Sequence, residues 1–505
     1  MSATDKINDI VIVGGGSAGW MTAAMLAKQL HAKVNITLVE SDEIGTIGVG
    51  EATIPPIKAF NRLLGIDEND FLKKCNGSIK LGINFENWSQ KNHAYFHPFG
   101  RFAVDFDYMP FAYFWNKQRQ TSNAKPLQEY ASAWHLAKNN KFSLPAKEPK
   151  SLFSGFDYAY HFDSSLYADY LKAYATKRGV IRQEGQIKHV STHPHNGFIR
   201  SVSLADGQVI EGDFFIDCSG GRALLINKTL GVKFIDWSEH LLCNRAIAVQ
   251  TQHTSPISPY TRAIAQEAGW QWRIPLQTRM GNGFVHSSHF INEQKAIDSL
   301  VDSVDGKLLT QPRVINFKVG RREKFWHKNC VAIGLSSGFL EPLESTSLHL
   351  IQRAIMRLVY LFPDKQCDEI NTRFYNKQSI EEYEHIRNFI ILHYKATQRD
   401  DSEFWRYCQH MQVPDSLQQQ IELFSTHGHL DLNGKDLFKQ DNWLAVLTGQ
   451  GIHPKNTAPI LAYKEHIDLP RTLKSFHDIL VNTVDNVGSH SDYLSKYCRY
   501  TPNLN

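Results

Sequence analysis

Three short segments carry side chains able to do chemistry. Lys80 sits among small and apolar neighbours in Asn76-Gly77-Ser78-Ile79-Lys80-Leu81-Gly82-Ile83. A lysine sheltered there has its pKa lowered toward the neutral amine and offers either an N–H donor or a nitrogen nucleophile. Glu344, in Gly338-Phe339-Leu340-Glu341-Pro342-Leu343-Glu344-Ser345-Thr346-Ser347, offers a carboxylate as proton acceptor. Trp270 and Trp272, in Trp270-Gln271-Trp272-Arg273-Ile274-Pro275, point the same way from an extended backbone that Pro275 ends. Each segment also has an ordinary structural reading. Lysines are usually solvated, an acid ahead of the helical periodicity of residues 348–359 favours the helix dipole, and paired aromatics are usually core packing.

The frame that must position them begins at the N-terminus. Asp9-Ile10-Val11-Ile12-Val13 is a continuous apolar run, as in a parallel strand buried on both faces. It feeds Gly14-Gly15-Gly16-Ser17-Ala18-Gly19. Gly14 permits a tight turn, Gly16 close approach of a pyrophosphate, and Gly19 packing of the next helix, predicted from Trp20 to about Leu30, whose N-terminus faces the phosphates. A second strand, residues 34–39, ends in Glu40, spaced to accept ribose hydroxyls. Strand, glycines, helix, strand and acid in that order predict dinucleotide binding. The segment of residues 41–56, with Val49, Gly50, Glu51 and Ala52, is a Gly-rich strap where an NAD domain would continue its βα alternation, which favours FAD. Two later strands with small-residue exits, ending Asp217-Cys218-Ser219-Gly220 and Gly334-Leu335-Ser336-Ser337-Gly338, fit an FAD module interrupted by insertions.

At 505 residues the chain exceeds one ordinary domain without an abrupt compositional break, so two intimately packed modules are expected. The hydrophobic fraction of 42% supplies a large core, and 21% charged residues exclude a disordered chain. A net charge of +4, spread along the sequence, argues against a nucleic-acid or membrane partner. Seven scattered cysteines without a Cys-x-x-Cys pair suggest neither a disulfide scaffold nor a zinc site, and the histidines lack metal spacing. The polar start running directly into a strand leaves no room for a secretory signal, so a cytoplasmic protein is expected.

With these segments quoted, the chain resembles the flavin-dependent tryptophan halogenase family over nearly its whole length. The resemblance also takes in Gly50-Glu51-Ala52-Thr53-Ile54-Pro55, His97-Pro98-Phe99-Gly100, Leu392-His393-Tyr394 and Asn442-Trp443-Leu444-Ala445. It implies an α/β (α+β) fold, with a Rossmann-like FAD-binding box over residues 1–79 and 166–361 and a mainly helical pyramid over 80–165 and 362–505. It also implies that FADH2 supplied by a separate reductase reacts with O2 and a halide to give hypohalous acid, which travels internally to Lys80. There an ammonium would polarise the oxidant, or a free amine would form an N-haloamine, while Glu344 takes the proton lost by the arene. Trp270, Trp272, Ile274 and Pro275 would wall the flavin off from the substrate. Thr346 and Ser347, at a helix start, would cradle chloride or bromide. Family members have Gly where this chain has Ser347.

The substrate side departs further. Tryptophan-specific members carry a Tyr-Tyr pair, a Glu and a Phe-Trp pair ahead of their counterpart of Asn442, whereas residues 426–441 here are rich in Gly, Asn and Asp and predict a turn-containing mobile loop. His97, Phe99, His393 and Trp443 are the expected substrate contacts. The expectation is a small electron-rich arene, indole or a derivative, brominated more readily than chlorinated by a monomer or homodimer. The alternatives are an FAD-dependent aromatic hydroxylase and a non-catalytic flavoprotein.

Overall fold

The apolar run at the N-terminus folds as the strand Asp9–Val13, and the strand after the first helix is Asn35–Glu40. In the computed structural model, which describes residues 5–31, 33–43, 50–121, 124–149 and 151–502, these are the centre of a six-stranded sheet. Phe214–Asp217 and then Cys330–Ala332 flank Asp9–Val13 in parallel on one side, and Ile181–Glu184 extends Asn35–Glu40 on the other. A short antiparallel strand, Trp326–His327, closes the edge beside Cys330–Ala332. All three strands with glycine or small-residue exits thus lie side by side and open toward the same end, as a dinucleotide-binding sheet requires. The first helix, Ser17–Leu30, starts three residues before its predicted Trp20 and is buried continuously from Gly19 to Ala27.

A seven-stranded sheet forms a second layer. It runs Arg313–Asn316, Arg245–Thr251, Met280–His286, Gly269–Pro275, Thr261–Gln266, Gly82–Glu86 and Ala94–Pro98. Trp270 and Trp272 therefore sit on its central strand, and His97 on its edge strand. Gly82–Glu86 pairs with Thr261–Gln266 in parallel, so the sheet draws strands from both sides of the expected module boundary at residue 80. A three-stranded sheet is more consequential for chemistry: Ala159–Asp163 pairs with Gly50–Ala52 on one side and Ser78–Lys80 on the other. One ladder thereby joins the strap that follows Glu40 to the lysine strand.

From Glu369 the chain is mainly helical, led by Glu369–Lys395, whose first turn is capped by Asp368, and Glu403–His410, capped by Ser402. No helix among the described residues is long and apolar enough to cross a membrane. All seven cysteines are free and buried, and no group of three or more potential metal ligands forms among the described residues.

Candidate active site

The fingerprint residues form a cradle open to a phosphate group. Gly14 has φ +112°, and a side chain there would run into the Cys218 carbonyl; one at Gly19 would strike the Gly14 carbonyl. Gly16 differs: a Cβ there meets nothing within 4 Å. The helix behind it has no side-chain cap and no acid in its first turn, so its N-terminal N–H groups suit an anion at the Gly16 position. Ser17 and Ala18 form the first helical positions. Glu40, at the strand end, is held by Arg182 Nε and by Trp20 Nε1 at 3.4 Å. Gly334, φ +79°, packs against Ala18, Leu335 is exposed, and Gly338 is glycine because its strand abuts Gly320 and Arg321. Val49 lies outside the described residues. The residues present fit a dinucleotide, and they make a clean test. Gly16→Val keeps an extended φ of −75°, so the protein should melt at the parent temperature while its affinity for FAD, followed by flavin fluorescence, drops about tenfold or more.

Lys80 is fully buried. Its Nζ donates to Ser345 Oγ at 2.8 Å and lies 5.1 Å from the centre of the Phe99 ring. Burial pulls its pKa down to about 7, and Glu344 and Glu51 act against that pull. Glu51, on the strap strand, is itself pushed up to about 7 by burial, with Lys80 opposing. A lysine at the end of a buried edge strand is thus held near the balance between ammonium and amine.

Glu344 ends the short helical turn Pro342–Glu344 and is also fully buried. Its Oε1 accepts from His97 Nδ1 at 2.9 Å and from His393 Nε2 at 2.8 Å. Burial pushes this carboxyl up, but the imidazole pair outweighs burial and holds it at about 2. With Glu344 ionised, the hydrogen bonds fix the rings' roles. His393 Nδ1 faces the Phe389 carbonyl at 2.8 Å, so both of its nitrogens are committed to oxygen partners; His97 Nε2 faces the Asn442 amide at 2.9 Å and accepts. Glu344 Oε2 has no hydrogen-bond partner. It is a free carboxylate oxygen on the residue next to Ser345, the lysine's partner.

The expected substrate contacts divide. Phe99 lies under the lysine, and Trp443 lies edge-on to Phe389 at 5.2 Å. His393 has no ring nitrogen left for a substrate and serves Glu344 instead; His97 also bonds Glu344. Sequence reasoning missed Phe438, which stacks on Phe389 at 3.8 Å and sits 6.5 Å from His97. Phe438 and Trp443 help line a cavity of about 930 Å3, with Arg357, His385 and Asp436 on its polar side. Ser345, the lysine's partner, was legible only as a member of the Glu344 segment.

The wall segment is the strand Gly269–Pro275. Trp272 lies across the opposing strand at Gly283, where any side chain would collide with its ring. Ile274 touches Gly50 of the strap, and the Pro275 carbonyl accepts from Ser78, two residues before Lys80. This strand therefore spans from the strap to the lysine strand. Thr346, whose hydroxyl is buried without a partner, precedes the helix Ser347–Tyr360, with Ser347 half-buried at its start.

The family model for tryptophan halogenase matches residues 9–466. The chain belongs to the tryptophan halogenase family. The tryptophan 7-halogenase RebH of Lentzea aerocolonigenes is 34% identical over 94% of each chain. Among solved structures, Xcc4156, a flavin-dependent halogenase from Xanthomonas campestris, is 43% identical with a TM-score of 0.95, covering 98% of this chain and 99% of its own. BrvH, a flavin-dependent halogenase from Brevundimonas sp. BAL3, is 42% identical with a TM-score of 0.94, covering 97% and 99%. The protein is accordingly a flavin-dependent halogenase enzyme with the mixed α/β fold of these structures, using FAD in its reduced form, O2 and a halide.

Proposed function

We propose that this halogenase transfers halogen to indole or an indole-type arene at Lys80 and Glu344, with bromide used more readily than chloride. The observation that carries the proposal is a fully buried Lys80 bonded to Ser345, the residue next to a fully buried Glu344 whose Oε2 has no hydrogen-bond partner. When bound, reduced FAD supplies, with O2, the oxidising equivalents that turn halide into hypohalous acid. The remaining work belongs to the chain. Gly14, Gly16 and the start of the Ser17–Leu30 helix hold the pyrophosphate. Thr346 Oγ1 and the backbone at Ser347 offer donors to a halide. The Trp270 to Pro275 strand keeps the arene away from the flavin, so that halide remains the nucleophile. At Lys80 the ammonium, steadied by Ser345, donates to the oxygen of the hypohalous acid and weakens its bond to halogen. The ring carbon takes the halogen, the oxygen leaves as water by taking a proton from the Lys80 ammonium, and Glu344 Oε2 takes the proton that carbon loses and returns it to the lysine: one arene C–H and one hypohalous acid give one C–X and one water.

The reading of an indole-type substrate rests on the absence of the tryptophan-gripping pattern before Asn442. A ring held by stacking alone is attacked where it is most reactive, which for indole is C3. The test combines the protein with FAD, a flavin reductase and equal bromide and chloride. Indole should give predominantly 3-bromoindole. Free tryptophan turned over at low KM to a single regioisomer would refute the substrate assignment, and predominant chlorination would refute the halide preference. Hydroxylated product formed without halide would favour the hydroxylase.

A further inference from the structure

We propose that Glu341 is a positioning residue for the wall between flavin and arene. Its carboxyl is fully buried, three residues before Glu344, and its hydrogen-bond partners differ from those of Lys80 and Glu344. Oε2 accepts from Trp270 Nε1 at 3.4 Å and from the Tyr394 hydroxyl at 2.9 Å. Tyr394 is in turn 3.7 Å from the Cys243 thiol. Trp88 packs edge-on to Tyr394 at 5.3 Å and tilted to Trp270 at 6.5 Å, completing an apolar jacket. A carboxyl is an expensive group to bury for packing alone, and a leucine there would complete this jacket better. What a leucine lacks is an acceptor. Trp270 has only one polar atom, and a buried indole N–H requires a partner to keep one ring orientation. Glu341 supplies it from the segment that also carries Glu344 and Thr346, so the wall is registered to the catalytic segment and not only to its own sheet.

The inference rests on the reading of the Trp270 strand as a wall, and the experiment separates the two. The quantity read is coupling, halogenated arene formed per FADH2 oxidised, with hydrogen peroxide measured alongside. Glu341→Leu should lower coupling about fivefold, the worth of one buried hydrogen bond, and raise peroxide, with KM for the arene unchanged. Glu341→Gln, which keeps an acceptor oxygen, should restore most of the coupling. Trp270→Phe removes the donor but keeps a ring, and Glu341→Leu added to it should have no further effect on coupling, because both changes break one interaction. In protein carrying 15N-indole tryptophan, the Trp270 N–H resonance should move in Glu341→Leu. Equal losses in the leucine and glutamine variants, or additive losses with Trp270→Phe, overturn the role of Glu341. If Trp270→Ala leaves coupling unchanged, the wall reading itself fails and this inference with it.

Discussion

Lys80→Ala should abolish arene halogenation, lowering kcat by about a thousandfold or more, while the variant continues to oxidise FADH2 and to generate hypohalous acid that an added trap captures. The size follows from removing a positioned proton donor or nucleophile, which is typically worth about 10²–10⁴-fold, with the loss of orientation on top. The sign of the pH dependence distinguishes the form that reacts. With its pKa brought to about 7 by burial, the lysine is ammonium below that pH, so single-turnover halogenation should hold level in mild acid and fall as pH rises through 7. A rate that rises through 7 would instead assign the step to the free amine. Stability moves the opposite way. A lysine whose folded pKa lies below its unfolded value burdens the fold at low pH, and the burden fades between about 7 and the unfolded value near 10.4. Lys80→Met should therefore melt higher than the parent at pH 7, by a margin that shrinks at pH 9. A variant retaining a tenth of the parent rate would sink the assignment.

Glu344→Gln should cost about 10²–10⁴-fold in kcat with the fold intact, because the amide oxygen can still accept from His97 and His393. It should also move the Lys80 titration. The carboxylate supports the ammonium form, so its loss lowers the lysine pKa further, and whatever halogenation survives should decline at a lower pH than in the parent. A fall in kcat with an unmoved pH profile would place Glu344 away from Lys80 in the working enzyme.

The residues whose signal is local were readable from the chain alone. The Gly14 to Gly19 turn, Glu40, the sheltered Lys80 and the paired tryptophans each declare themselves within a handful of neighbours, because turn geometry and strand alternation are properties of short segments. The protonation network does not. His97 meets Glu344 across 247 positions and Asn442 across 345, and nothing in the composition around His393 says that both its nitrogens are committed to Glu344 and the Phe389 carbonyl. Phe438 was hidden for another reason. Its segment is rich in Gly, Asn and Asp, which reads as an open loop, yet the side chain is only 7% exposed and closes over Phe389. Ser345 adopts φ 57°, an uncommon conformation for a residue with a side chain. The tertiary contacts around Lys80 hold it there, and the sequence gives no sign of it.

The burial of every cysteine matters for a catalyst that manufactures a sulfur-seeking reagent. Thiol oxidation follows exposure and thiolate character; burial removes the first and suppresses the second, as at Cys218, whose thiol burial pushes well above its ordinary range. Hypohalous acid that escapes into bulk solution therefore returns to a surface whose cysteines are all covered, and the sulfhydryls are spared.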